Sequence, residues 1–262
     1  MQIIDFHTHI YPDAIAHKAA QSIRDFYNVG DGKLDGTVDL LLQCSQEAGI
    51  SRCVVLPVAL RPDRVTSINN FIVEEVHRYP QFTGFGTVHA AMDGLTDEAE
   101  RIMDLGLHGI KMHPDTQGFA IDDPLLYPLY EMIQGKLPLI FHMGDCRYDF
   151  SHPARLRNVL DKFPNLHVIA AHFGGYSMYE TAFEYLNDKE CFFDISSSIM
   201  FMEKGVAEEY INRYGAERML FGSDFPLWDP RNEVETFLNL DLTLEQKEQI
   251  AHKNAKYVLK EA

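Results

Sequence analysis

Eight short apolar runs alternate with stretches of helical periodicity along this chain, and that alternation restricts the fold more than any other feature. The runs are Gln2–Phe6, Cys53–Val58, Phe82–Val88, Gly109–Met112, Leu137–His142, His167–Ala171, Cys191–Ser196 and Met219–Gly222. Each is short and rich in β-branched or aromatic residues, as strands are. Their nearly continuous apolar character is that of strands covered by helices. Between them, Thr37 is placed to cap a helix over Val38–Ala48, and further helices are expected over Ile68–Tyr79, Asp97–Leu105, Leu125–Gln134, Pro153–Phe163, Ser177–Asn187 and Lys204–Tyr214. Thr243 and Gln246 have the spacing of a capping box before a last helix, Leu244–Leu259. Repeated strand–helix units imply a parallel sheet with helical crossovers. Eight such units in 262 residues fit one α/β domain, 1–262, closed as a (β/α)₈ TIM barrel. The rival is an open doubly wound sheet. It is usually marked by a glycine-rich fingerprint after a strand, and neither G-x-G-x-x-G nor a Walker motif occurs here.

The spacing between strands is even except after the first, where it roughly doubles. The added stretch, Ile10–Gly36, holds a helical segment near Ala14–Phe26 and the turn Gly30-Asp31-Gly32. It reads as a loop elaborated over the mouth of the barrel or as a peripheral decoration. The net charge of −16, with no two Lys or Arg residues adjacent, leaves no basic patch for nucleic acid. No apolar run is long enough to span a membrane, and with a strand starting at Gln2 no leader is expected. Cys44, Cys53, Cys146 and Cys191 show no C-x-x-C spacing, which points to reduced thiols in a cytoplasmic protein. A small molecule is the expected partner, and a homodimer is compatible with that.

In such a barrel, chemistry gathers at the C-terminal ends of the strands. The first strand runs into Asp5-Phe6-His7-Thr8-His9. Side chains on a strand alternate with period two, so Asp5, His7 and His9 are expected on one face and Ile4, Phe6 and Thr8 on the other. Two neighbouring imidazoles can share a metal ion, although an isolated H-x-H is as often a surface or core feature. The other strand ends add weight: Lys111 and His113, then His142 and Asp145, then His172, Asp194 and Asp224. Ile110 and Met112 should face the helices, which turns Lys111 and His113 inward. Arg61, Arg64 and Arg147 fall on loops that would rim the mouth. There they could clamp a substrate carboxylate or simply be solvated. Trp228, and more weakly Tyr176 and Ser197, could wall the pocket.

The D-x-H-x-H of Asp5–His9, the histidine His142 closing the fifth strand, the A-H-x-G-G beginning at Ala171 and the G-S-D-x-P of Gly222–Pro226 together resemble the amidohydrolase superfamily. The most similar branch is the "amidohydrolase 2" group, which contains aminocarboxymuconate-semialdehyde decarboxylase, resorcylate-type decarboxylases and lactone hydrolases. The motifs extend over most of the chain. The resemblance implies that His7, His9, His142 and Asp224 hold one divalent metal. Zn²⁺ suits such a set, and Mn²⁺ or Fe²⁺ could use it too. It implies a metal-bound water of pKa ~7. His172 would stand beside that water as general acid or base, and Asp224 would share the proton transfer. Lys111 is expected to be an interior cation paired with Asp5, with a carboxylated lysine bridging two metals as the alternative.

The activity expected on this basis is hydrolysis of an ester, lactone or amide in a small, carboxylated substrate by metal-activated water. His113, Arg61, Arg147 and Trp228 are the candidate substrate contacts. A non-oxidative decarboxylase using the same site is the alternative enzyme. A barrel without catalysis, binding a metabolite or a partner, is the third reading. An intact set of ligands argues against it, because buried His and Asp side chains left unpaired are costly.

Overall fold

The computed structural model describes residues 1–30, 32 and 34–261; Asp31 of the expected Gly30–Gly32 turn lies outside them. The strands are β1 Ile4–Thr8, β2 Arg52–Val55, β3 Phe82–Gly84, β4 Gly86–Thr87, β5 Ile110–Met112, β6 Leu139–Phe141, β7 Val168–Ala170, β8 Phe192–Asp194 and β9 Met219–Leu220. All neighbouring pairs are parallel, in the orders β1-β2-β3 and β4 through β9. The two sheets meet at Phe85. Its N–H donates to Val55 O (3.1 Å), and the next N–H, of Gly86, donates to Gly109 O (2.8 Å). The single run expected over Phe82–Val88 is therefore two segments of one strand position. Glycine on either side of Phe85 permits this. A Cβ at Gly84 would meet Val76, Ile72 and Leu107, and one at Gly86 would meet Ile102 at 2.6 Å, so the covering helices lie directly on the backbone there. At the far edge Phe6 N–H donates to Phe221 O (2.8 Å), Asp224 N–H to His7 O (2.8 Å) and His9 N–H to Phe225 O (2.8 Å). These bonds bring the last strand beside the first and close the TIM barrel.

The helices follow the apolar periodicity. They are α1 Asp13–Tyr27, α2 Val38–Ala48, α3 Val65–Arg78, α4 Leu95–Asp104, α5 Pro114–Gln117, α6 Tyr127–Ile133, α7 Pro153–Lys162, α8 Tyr179–Leu186, α9 Val206–Tyr214 and α10 Pro230–Leu238, then α11 Leu244–Glu248 and α12 Asn254–Val258. Thr37 accepts from Leu40 N–H at the start of α2, and the Thr243–Gln246 capping box is formed. The expected last helix is broken by a wider π turn at Gln249–Lys253. There the buried Asn254 side chain donates to the carbonyls of Ala216 and Met219. Among the described residues no helix is long and apolar enough to cross a membrane.

Apolar packing has two layers. One cluster lies between strands and helices and includes Val55, Ile110, Met112, Phe141, Phe193 and Phe221. The other fills the barrel with Ile4, Phe6, Val54, Phe85, Ile140, Ile169 and Leu220, against Ala255, Val258 and Leu259 of the C-terminal segment. Ile4 and Phe6 thus share one face, as period two requires, and it is the inward one. The register of β1 shifts between Asp5 and Thr8. Phe6 packs edge-on to Phe85 at 5.8 Å, while His7 also turns into the barrel. Asp5 is deflected to the backbone. Its Oδ1 accepts from His7 N–H (3.2 Å) and Ser223 N–H (2.9 Å).

Candidate active site

The strand ends open into a cavity of about 470 Å³. Its floor carries His7, His9, Lys111, His113, Asp115, His142, His172 and Asp224, and its roof is α1, with Val58, Leu60, Pro226 and Leu227 at the sides. At the centre of the floor His7 Nε2 and His9 Nε2 lie 3.6 and 3.3 Å from Asp224 Oδ1. The opposite ring nitrogens are both engaged: His7 Nδ1 with Asp194 Oδ2 (2.9 Å) and His9 Nδ1 with Leu56 O (2.6 Å). Those acceptors fix each ring with N–H at Nδ1, leaving a lone pair on each Nε2. Two imidazole lone pairs and a carboxylate oxygen therefore converge on one point, within 4.8 Å of one another. Such a donor set fits a divalent cation. Ring nitrogens tied behind the site to a carboxylate and a backbone carbonyl are the usual support for metal-binding histidines.

His142 shares the floor but has other neighbours. Its Nδ1 meets His172 Nε2 (3.0 Å), its Nε2 meets the Tyr27 hydroxyl (3.1 Å), and its ring stacks on His113 at 4.0 Å. With Asp115 and His113 it forms a second group that could hold a metal. His172 is buried and stacks on His7 at 5.1 Å. Its Nδ1 meets Ser196 O and Ser196 Oγ, each at 3.0 Å. With the N–H on Nδ1, Nε2 is the acceptor that faces His142. His172, Phe173, Ser197 and Asp224 all adopt left-handed backbone with φ of 49° to 59°. Strain of this kind in residues other than glycine persists only where surrounding contacts hold it, typically at functional sites.

The electrostatics follow from burial. It pushes His7 down to about 4, helped by Lys111, and it also lowers His172. His113 and His142 are pushed well below the ordinary imidazole range by burial and by neighbouring cations and imidazoles. His7, His113, His142 and His172 are accordingly neutral, the state in which a metal is ligated. Burial alone would raise Asp224 and Asp194, but the surrounding imidazoles and hydrogen bonds outweigh it and hold both carboxyls well below the carboxylate range. Asp224 Oδ2 also accepts from Ser197 Oγ, which in turn accepts from Trp228 Nε1 (2.8 Å).

The amidohydrolase family model matches residues 4–260. The chain belongs to the amidohydrolase family. No curated protein matches the sequence. Among solved structures, an uncharacterised TIM-barrel protein from Bordetella bronchiseptica aligns with TM-score 0.81 and 22% identity, over 99% of both chains. A dihydroxybenzoic acid decarboxylase from Polaromonas sp. JS666, with bound manganese and 2-nitroresorcinol, aligns with TM-score 0.77 and 19% identity, over 99% of this chain and 97% of that one. A probable 2-pyrone-4,6-dicarboxylic acid hydrolase from Acinetobacter baumannii, with citric acid bound, aligns with TM-score 0.72 and 16% identity, over 99% of this chain and 100% of that one.

Within this amidohydrolase, several residues expected at the site lie elsewhere. Lys111 is buried inside the barrel, but its Nζ meets His7 Nε2 (3.2 Å) with Asp194 and Asp224 nearby, and Asp5 is not its partner. Asp5 lies on the face opposite Ile4 and Phe6, where its carboxylate accepts from backbone N–H groups. Burial lowers Lys111 to about 8, with the two carboxylates opposing. Arg61 is exposed and forks onto Asp63 with two contacts of 2.9 Å; Arg64 leans on the same carboxylate at 3.6 Å. Arg147 is bound to Asp145 and to the Phe26 carbonyl (2.5 Å). None of the three arginines lines the cavity. Trp228 is not in the lining of this cavity but borders a narrow recess shared with Tyr27, His142, His172 and Asp224, and donates to the Ser197 that holds Asp224. Their local sequences carry the signal: Arg61-Pro-Asp63 and Asp145-Cys-Arg147 place an acid two residues away. Two roles carry no mark in the sequence: Asp194 as the support of His7, and Tyr27, which reaches the floor from α1. Nothing local links Asp194 to a histidine 187 positions away.

Proposed function

We propose that this amidohydrolase is a metal-dependent hydrolase of a small ester, lactone or amide. The observation that carries the reading is the convergence of His7 Nε2, His9 Nε2 and Asp224 Oδ1 beside a neutral His172 whose Nδ1 is anchored on Ser196. His7, His9 and Asp224 would hold one divalent ion, with His142 as the fourth ligand; the donor set suits Zn²⁺, and Mn²⁺ is the ion of one structural neighbour. The ion would supply a nucleophilic water at neutral pH and polarise the substrate carbonyl. His172 accepts a proton at Nε2 and returns it to the leaving group, while its Nδ1–H stays on Ser196 O. Asp194 keeps His7 in the tautomer that presents Nε2. A substrate carboxylate would meet Lys18 on the roof, which lines the cavity, in place of the arginines. The free cysteines suit a reducing compartment, and we assign the protein to the cytoplasm.

A second reading, non-oxidative decarboxylation, is favoured by the apolar walls Ile15, Ile23, Val58, Leu60 and Leu227 and by the decarboxylase among the structural neighbours. In it His172, once protonated, would deliver the proton to carbon. Metal-loaded protein screened against lactones, esters, amides and aromatic carboxylic acids separates the readings. Net acid release from lactones or esters supports hydrolysis; carbon dioxide released only from the aromatic acids would replace it with decarboxylation.

A further inference from the structure

One face of α1 roofs the cavity. Ile15, Ala19, Ile23 and Tyr27, spaced four residues apart, all line it, as residues on one helical face do. The opposite hold of α1 on the barrel is slight. Its buried residues are Ala16, Ala20 and Arg24, and two alanines remove little apolar surface from water. Arg24 fastens the helix to Pro226 O at 3.1 Å. A further fastening is Arg147, from the loop after β6. Its Nε and Nη2 grip the Asp145 carboxylate at 2.9 and 2.6 Å, and its Nη1 donates to Phe26 O at 2.5 Å. The guanidinium also lies 4.6 Å from the Phe26 ring centre and 5.4 Å from that of Tyr27. A cation on the last turn of a helix meets the negative end of its dipole, and stacking on aromatic faces adds to the hold. The next residue, Tyr27, puts its hydroxyl 2.8 Å from His113 Nε2 and 3.1 Å from His142 Nε2.

We propose that Arg147 is a positioning residue: it latches α1 as a lid over the cavity and so seats Tyr27 on the histidine floor. With the latch held, the floor is covered and His113 and His142 are oriented through Tyr27. With it released, α1 swings from its Arg24 fastening and opens the mouth. The inference rests on the reading of this cavity as the metal and substrate site, but not on which bond is cleaved there.

The test compares wild type with Arg147→Ala and Arg147→Lys by amide hydrogen exchange and by release of Mn²⁺ to a chelator. Arg147→Ala should speed exchange of the amides in Asp13–Tyr27 by roughly tenfold or more, since local opening is governed by the contacts it breaks. Protection of the barrel strands should be unchanged and Mn²⁺ release several-fold faster. Arg147→Lys keeps the charge but not the fork, and should fall between the two. Unchanged exchange in α1 would overturn the proposal. So would loss of protection spread over the whole barrel, because Arg147 would then be a general support. If Arg147→Ala proves too unstable to study, exchange in Arg147→Lys decides in the same way. A wild type that binds no Mn²⁺ would count against the metal site, while the exchange result would still judge the latch.

Discussion

The two halves of the barrel interior are built from opposite materials. The lower half is apolar and plugged by the C-terminal segment, with Phe6, Val54, Phe85, Ile169 and Leu220 against Ala255 and Val258. The upper half holds His7, Lys111, His172, Asp194 and Asp224, all buried, and the left-handed residues of the floor. Burying neutral hydrocarbon is favourable in proportion to area. Burying charges is costly unless each is paired. The lower half can therefore be read as the source of stability and the upper half as where stability is given up for chemistry. At the upper half, Asp115 Oδ1 is buried with no hydrogen-bond partner among the described residues.

Substitutions in each half sharpen this division. Phe85→Ala empties the centre of the lower cluster and should cost about 3–5 kcal/mol of stability. Chemical denaturation measures it, and the folded fraction should still bind metal. A loss below about 1 kcal/mol would show that the lower half is not the support described. His172→Asn addresses the upper half. Turnover of an identified substrate should fall roughly 10²–10⁴-fold, with metal content close to one equivalent retained. Complete loss of metal would make His172 a ligand. Unchanged turnover would remove it from the reaction.

A smaller effect is expected at the boundary. Burial raises the buried Glu233 of α10 to about 8, and the carboxylates Asp5, Asp224 and Asp229 add to it. An acid whose folded pKa lies above its unfolded value favours the folded state in its protonated form. That contribution is full below the unfolded value near 4.5 and is lost as pH rises through about 8. Wild type should therefore lose stability between pH 5 and pH 8 relative to Glu233→Gln, in melts run across that range. Parallel curves would show that Glu233 is not held protonated.

The same division explains what the sequence disclosed. Helix α2 with its Thr37 cap, the capping box at Thr243 and the order of strands and helices rest on local chemistry and were legible, although bounds such as the start of α3 and the end of β2 lie three residues from those expected. So were the inward turn of Lys111, which follows from Ile110 and Met112, and the presence of His7, His9, His142, His172 and Asp224 on one cavity floor. What escaped depends on partners far along the chain. The register shift in β1 arises where β1 meets both β2 and the segment after β9. Across it His7 joins Phe6 on the inner side, while Asp5, on the other face, does not reach Lys111. Helix α10 was passed over although Asp229-Pro230 is a capped helix start. The grouping of His142 with Tyr27 requires knowing where α1 lies over the mouth.

The central claim is that the upper half is a site for one divalent metal on His7, His9, His142 and Asp224. The most direct test is elemental analysis with calorimetric titration of Zn²⁺ and Mn²⁺ into protein stripped of metal. About one equivalent should bind tightly to wild type, and Asp224→Asn or His9→Ala should weaken it by roughly 10²-fold or more while leaving the fold intact. Failure of wild type to take up either ion, or tight binding undiminished in both variants, would contradict it.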